Sequence, residues 1–157
     1  MKHIWYTGSP FGPIGIAEDG RGIFSLFFLH GEKPGSMEET RTPLLGRAEE
    51  ELAEYFSGIR REFDLPLSLE GTEFQRADWA ALLEIPYGET RTYGQIAVRL
   101  GNPKACRAVG MANHRNPIAI LVPCHRVVGK NGSLTGYAGG LNIKAGLLGL
   151  EKHHCGV

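Results

Sequence analysis

The hydrophobic pattern of this 157-residue chain changes period part-way along, and that change constrains the fold more than any other feature. From Trp5 to Leu29 the apolar residues come in short runs broken by turn formers, Ser9-Pro10-Phe11-Gly12-Pro13 and Glu18-Asp19-Gly20-Arg21-Gly22. Ile14-Gly15-Ile16 and Ile23 to Leu29 fit strands of an antiparallel meander. Gly31 to Pro43 is polar and reads as loop. Beyond it Leu44, Ala48, Leu52 and Tyr55/Phe56 recur at helical spacing, and Ser57-Gly58 stops that helix. Phe63 to Leu69 reads as extended. The first 70 residues are thus expected to form an α/β domain, an antiparallel sheet plus one helix, and residues 71–157 a second, mainly α domain.

In the second domain Thr72 is placed to cap a helix that ends before Pro86, with Phe74, Ala77, Ala81 and Leu82 as its apolar face. Thr92 is placed to cap another, carrying Tyr93, Ile96, Ala97 and Leu100 at i, i+3, i+4 and i+7. Gly101-Asn102-Pro103 breaks it, and a short helix follows with Ala105, Ala108, Val109 and Ala112 on one face. Two short helices joined by a glycine-containing turn form the helix-turn-helix pattern, although an ordinary helical hairpin has the same spacing. Ile118 to Val122 is fully apolar and is expected to be a buried strand. Gly129-Lys130-Asn131-Gly132 is expected to be a hairpin turn. A last helix runs from about Leu141 to Leu150, with Lys152 to Val157 a frayed tail.

The formal net charge is zero, but residues 1–70 hold seven basic and twelve acidic groups, while residues 71–157 hold ten and five. Thr90 to Leu150 contains eight basic residues and no acidic one. Such a segment is either a solvated basic face or one that attracts phosphate backbones. No apolar run approaches the ~20 residues of a membrane helix, and the sequence shows no basic-then-apolar leader pattern, so a soluble, unexported protein is expected. Three scattered cysteines, Cys106, Cys124 and Cys155, argue against a disulfide framework and for a reducing, cytoplasmic setting.

Cys124 lies beside His125 and Arg126. A thiol is nucleophilic as thiolate, and forming one near neutral pH requires a neighbouring cation, a base or a helix N-terminus. His125 reaches Cys124 directly only if the backbone turns there; a bridging water is the alternative. Glu151 is placed to orient the imidazole. From spacing alone the signal is weak, and a buried, inert cysteine is the ordinary reading. No cysteine or histidine pair has zinc-ligand spacing, so no metal is expected, although His153, His154 and Cys155 could capture one adventitiously. His3, His30 and His114 have no evident partners.

Pro123-Cys124-His125-Arg126-Val127 resembles the active-site signature of the O6-alkylguanine-DNA alkyltransferases. Phe74-Gln75, Ile85 to Thr90, Tyr93-Gly94, Arg107 to Gly110, Asn116-Pro117 and Gly136 to Gly140 extend the resemblance in order from about Gly71 to Glu151. The resemblance implies a ribonuclease H-like N-terminal domain and a C-terminal domain that meets double-stranded DNA in the minor groove. It implies irreversible, single-use transfer of the alkyl group from O6-alkylguanine, with O4-alkylthymine a further candidate, to Cys124 without a cofactor. His125, Glu151, Tyr93 and Asn116 take catalytic roles by that likeness. Arg107 becomes the finger replacing the flipped nucleotide, with Lys104, Tyr93, Arg115 and Arg126 toward DNA. Tyr137, Ala138, Val127 and Ala119 line the substrate pocket. A monomer is implied.

The chain departs from the family pattern at three places. Asp78 stands where an apolar residue is usual and, if buried, needs a partner. Gly146 replaces a frequent aromatic, at about 1 kcal/mol of helix propensity, and His114 replaces a glycine. Three rivals remain at this stage: a non-catalytic base-flipping sensor, whose members carry tryptophan at the Cys124 position; a helix-turn-helix regulator with a structural Cys124; and a cysteine hydrolase.

Overall fold

The computed structural model describes residues 1–155. The chain forms two compact units, Met1–Leu69 and Glu70–Val157.

The first unit is built on a four-stranded sheet of order β3-β2-β1-β4, with β1 His3–Thr7, β2 Ile14–Glu18, β3 Ile23–Phe28 and β4 Glu38–Glu39. β1–β2 and β2–β3 are antiparallel, as the turn-punctuated runs require. The sheet is nevertheless mixed: β4 lies in the segment read as loop and pairs parallel with β1, His3 opposite Glu38. His3 approaches Glu38 at 3.8 Å and so has a partner. β2 is buried along its whole length. A side chain at Gly15 would stand 2.5 Å from the Phe27 ring, so that ring packs directly over the glycine and would have to swing aside for a larger residue. Helix α1, Pro43–Phe56, is capped by Thr42 and buries Leu45, Ala48, Leu52 and Tyr55. Leu45 rather than Leu44 opens its apolar face.

The second unit is mainly helical. Helix α2, Glu73–Leu83, starts in a capping box of Thr72 and Gln75. Its buried face is Asp78, Trp79, Ala81 and Leu82, while Ala77 is exposed. Helix α3, Tyr93–Arg99, starts in a second capping box, Thr92 with Gln95. Gly101, at φ 80°, makes the turn into α4, Cys106–His114, where Val109, Ala112 and Asn113 face inward and Ala108 outward. Helix α5, Leu141–Cys155, buries Lys144, Leu147 and Glu151 on one stripe at i, i+3 and i+7. Lys152 to Cys155 therefore continue the helix instead of fraying, and the rest of the expected tail, residues 156–157, lies outside the described residues.

Two expectations fail between α4 and α5. Ile118 to Val122 is buried apart from Ala119, which is partly exposed, but it is not a strand. Its backbone closes on itself, Val122 N–H donating to Ile118 carbonyl at 3.0 Å and Leu121 to Ala119 at 2.8 Å, with Ile120 forced to φ 71°. A short apolar run reports burial, which a compact turn satisfies as well as a strand. The Gly129 to Gly132 segment is a tight turn without a returning strand. Val127–Val128 (β6) pairs instead, in parallel, with Arg91–Thr92 (β5). Among the described residues no helix is long and apolar enough to cross a membrane.

Candidate active site

Cys124 opens a one-turn 3-10 helix, Cys124–Arg126, that follows Pro123 and leads into β6. The compact turn before it is tied down by Asn116. The Asn116 side-chain amide donates to the Val122 carbonyl at 2.9 Å and to the Cys124 sulfur at 3.1 Å, while its oxygen accepts from Ile118 N–H at 3.0 Å. One side chain thus fixes both the turn and the thiol it delivers. Tight winding at Cys124 also breaks the strand-like alternation that would put His125 on the opposite face.

His125 is fully buried, and its Nε2 lies 2.6 Å from Glu151 Oε2. Arg126 grips the same carboxylate from Nε at 2.8 Å and Nη2 at 3.0 Å, and donates from Nη1 to the Ile85 carbonyl at 2.7 Å. Gly88 N–H adds a hydrogen bond to Glu151 Oε1 at 3.2 Å. Arg126 is therefore not available as a DNA contact. It is buried because Glu151 would otherwise be a carboxylate in the core with too few donors.

Charge states follow from these contacts. Burial would raise the Glu151 carboxyl, but His125 and Arg126 outweigh it and hold it down at about 2. Burial pushes His125 down, and Glu151 opposes that without reversing it. A neutral imidazole facing a fixed carboxylate must carry its proton on Nε2. Nδ1 is then left with its lone pair, and that atom is buried without a hydrogen-bond partner. Burial pushes the Cys124 thiol up to about 11, against the pull of Asn116 and of Lys144. The resting pair is therefore a protonated thiol and a neutral base in adjoining residues of one turn.

Lys144 escaped the sequence reading. It is fully buried on the α5 stripe, two turns before Glu151, and donates to the Thr135 carbonyl at 2.8 Å. Burial lowers its ammonium pKa and Cys124 works against that. The available signal was the i, i+7 placement of a lysine on the same face as Glu151. Tyr93 donates its hydroxyl to the Thr135 carbonyl at 3.0 Å, so Tyr93 and Lys144 converge on the Thr135–Gly136 loop. Tyr137 is half-buried beyond it, its phenol pushed well up by burial and by Cys124. Ala138 is exposed, Ala119 partly so, and Val127 is wholly buried. Lys104, Arg107 and Arg115 are all exposed at or near α4. Among the described residues no group of three His, Cys, Asp or Glu side chains could hold a metal.

A thiol, a neutral imidazole and a buried carboxylate thus stand together in a helical unit whose α4 region carries exposed cations. Comparison with known proteins identifies the family. The DNA binding domain of 6-O-methylguanine DNA methyltransferase matches residues 73–153, and the ribonuclease-like domain of the same family matches residues 3–69. A methylated-DNA–protein-cysteine methyltransferase of Methanosarcina acetivorans is 56% identical over 147 residues, covering 91% of this chain and 94% of the relative. The crystal structure of Mycobacterium tuberculosis O6-methylguanine methyltransferase superposes with a TM-score of 0.90 at 47% identity, covering 98% of this chain and 94% of that one. A structure from that organism in complex with DNA gives 0.90 at 48% identity, covering 97% and 94%. The chain belongs to the 6-O-methylguanine DNA methyltransferase family, with its two-domain fold of N-terminal sheet and C-terminal helical DNA-binding domain.

Proposed function

We propose that this protein repairs alkylated DNA by direct reversal, moving the alkyl group from guanine O6 onto Cys124. The observation that carries the assignment is the Cys124 thiol held by Asn116 beside a neutral His125 whose Nε2 is committed to Glu151. His125 Nδ1 takes the thiol proton, through one water where the two atoms are out of direct reach. The thiolate sulfur then attacks the alkyl carbon in line. The carbon–O6 bond breaks, its electrons pass into the purine, and a proton delivered to the ring completes the leaving guanine. Sulfur ends as a thioether, so each molecule acts once. Glu151 and Arg126 are positioning residues. Glu151 fixes the His125 tautomer, and Arg126 fixes Glu151.

The α3–turn–α4 pair serves as a helix-turn-helix, with α4 laid in the minor groove of double-stranded DNA. Arg107, exposed in the first turn of α4, fills the space of the flipped nucleotide, and Lys104 and Arg115 meet phosphates. Tyr93, Tyr137, Ala138 and Ala119 border the flipped base. The first unit is read as ribonuclease H-like, and the protein as a cytoplasmic monomer. The sensor and regulator readings both leave the thiol without work, although Asn116, His125 and Glu151 are arranged around it.

Incubation with a duplex carrying O6-methylguanine tests the assignment. One methyl should appear per protein molecule, mapped to the Cys124 peptide, with no turnover; lesion binding at unchanged protein mass would overturn it. Arg107→Ala should slow repair of the duplex at least tenfold while leaving attack on a free O6-alkylguanine base intact.

A further inference from the structure

The outward face of α4 carries two large side chains with no part in the chemistry at Cys124. Val109, Ala112 and Asn113 point inward, while Arg107, Ala108, Met111 and His114 are exposed. Arg107, Met111 and His114 recur at i, i+4 and i+7, so they form one stripe along the helix. Met111 keeps 62% of its surface exposed. Trp79 on α2 donates from Nε1 to the Ala112 carbonyl at 2.9 Å and holds the inward side of α4 in place. The helix cannot roll to bury Met111 without breaking that bond and uncovering Val109 and Ala112. The stripe therefore faces outward by construction.

Its surroundings are cationic. Lys104, Arg107 and Arg115 are exposed around it, and no acidic residue lies between Thr90 and Leu150 in the sequence. Charge complementarity selects a phosphate backbone, and the groove it encloses, as the occupant of this face. Seven residues of helix advance about 10.5 Å, the length of about three base-pair steps. With Arg107 in the space of the flipped nucleotide, His114 stands about three pairs along the same groove and Met111 about two. The minor groove is only about 6 Å wide, and its floor differs between base pairs. An A·T pair presents acceptors alone, whereas a G·C pair adds an amino group that rises from the floor. A thioether chain and an imidazole fit over the first floor and collide with the amino group of the second. The imidazole keeps at least one N–H in either protonation state, and that donor matches the acceptors of an A·T pair.

We propose that Met111 and His114 read the minor groove beside the lesion and favour A·T pairs about two and three steps from the flipped nucleotide. The inference rests on the reading of α4 as the minor-groove helix with Arg107 as its finger, and it adds a sequence preference to that reading. His114 stands where the family pattern has glycine, so the preference is a property of this chain's own side chains. A histidine that merely met phosphates would strengthen binding to every duplex alike.

The test uses duplexes with one O6-methylguanine and either A·T or G·C pairs at the second and third positions, on each side of the lesion in turn. Binding is measured by fluorescence anisotropy, and single-turnover methyl transfer to Cys124 on the same set, for wild type, Met111→Ala, His114→Ala and the double variant. Both side chains are exposed, so the variants should keep the wild-type circular dichroism spectrum. Wild type should bind the A·T duplex about three- to tenfold tighter than the G·C duplex, on one side of the lesion only, because the stripe runs one way from Arg107. Each single variant should lose part of that ratio, and the double variant should bind both duplexes equally. Equal binding by wild type, a ratio that survives in the double variant, or a uniform weakening that leaves the ratio intact would overturn the groove reader. If the ratio appears and vanishes as expected while no methyl reaches Cys124, the repair assignment fails and the reader stands. Methyl transfer and binding that are both indifferent to sequence would keep the assignment and remove the reader.

Discussion

The two buried carboxylates of the helical unit occupy opposite electrostatic regions. Glu151 receives hydrogen bonds from an arginine, a histidine and a backbone N–H, and stays ionised to about pH 2. Asp78 has no cationic side chain in hydrogen-bond contact, only the Asn113 amide beside it, and burial lifts its carboxyl to about 7. Burial acts in the same direction on both. The number and charge of the donors decide which remains an anion and which titrates. Glu151 can therefore impose a fixed tautomer on His125 at every working pH, and Asp78 cannot impose a fixed charge on anything.

The comparison breaks most visibly if Glu151 loses its charge. Glu151→Gln strands Arg126 as a buried cation and should cost about 3–5 kcal/mol at pH 7, read by urea denaturation. Transfer to Cys124 should fall with it even under conditions where the variant remains folded. In wild type the Glu151 contribution is fully present above about pH 4.5, its unfolded value, and is lost as pH falls toward about 2.

Asp78 has the opposite sign. Its folded pKa is raised from 3.8 to about 7, so ionising it costs stability. The penalty is absent below pH 4, grows as pH rises, and is complete above 7 at about 4 kcal/mol as an upper figure. Asp78→Asn should therefore raise the melting temperature at pH 8 and leave it nearly unchanged at pH 4. An equal shift at both pH values would mean that the carboxyl titrates in the fold as it does in the unfolded chain, with no raised pKa. The smallest effect is expected at the exposed bidentate pair Arg99–Glu84, with N–O distances of 2.9 and 2.7 Å. Arg99→Ala should lower the melting temperature only slightly, and the difference should fade in high salt, because solvent screens that pair.

The parts legible in the sequence are those set by local chemistry. The capping boxes at Thr72 and Thr92, the turn at Gly101 and the apolar stripe of α3 are each written within a few residues. Cys124, His125, Asn116 and Glu151 were legible through their resemblance to a family, and the structure brings these four together around one turn. What was not legible depends on distant partners. Nothing near Val127 announces that Arg91–Thr92, far upstream, pairs with it in parallel, and nothing near Glu38 announces the edge of β1. Arg126 reads as a DNA-facing cation until the Glu151 carboxylate claims it. Ile118 to Val122 has the composition of a strand because burial selects apolar side chains whatever the backbone does. Asp78 was visible as an anomaly, but its partner Asn113 lies on another helix.

The central claim is that burial keeps His125 neutral and Glu151 holds its one proton on Nε2, leaving Nδ1 free to accept the Cys124 proton. Nitrogen-15 NMR of the His125 ring between pH 5.5 and 8.5 tests it directly. The account predicts one tautomer throughout, protonated at Nε2 and bare at Nδ1, and predicts that Glu151→Gln lets the ring change state. A doubly protonated imidazolium at neutral pH, or a proton resident on Nδ1, would contradict it.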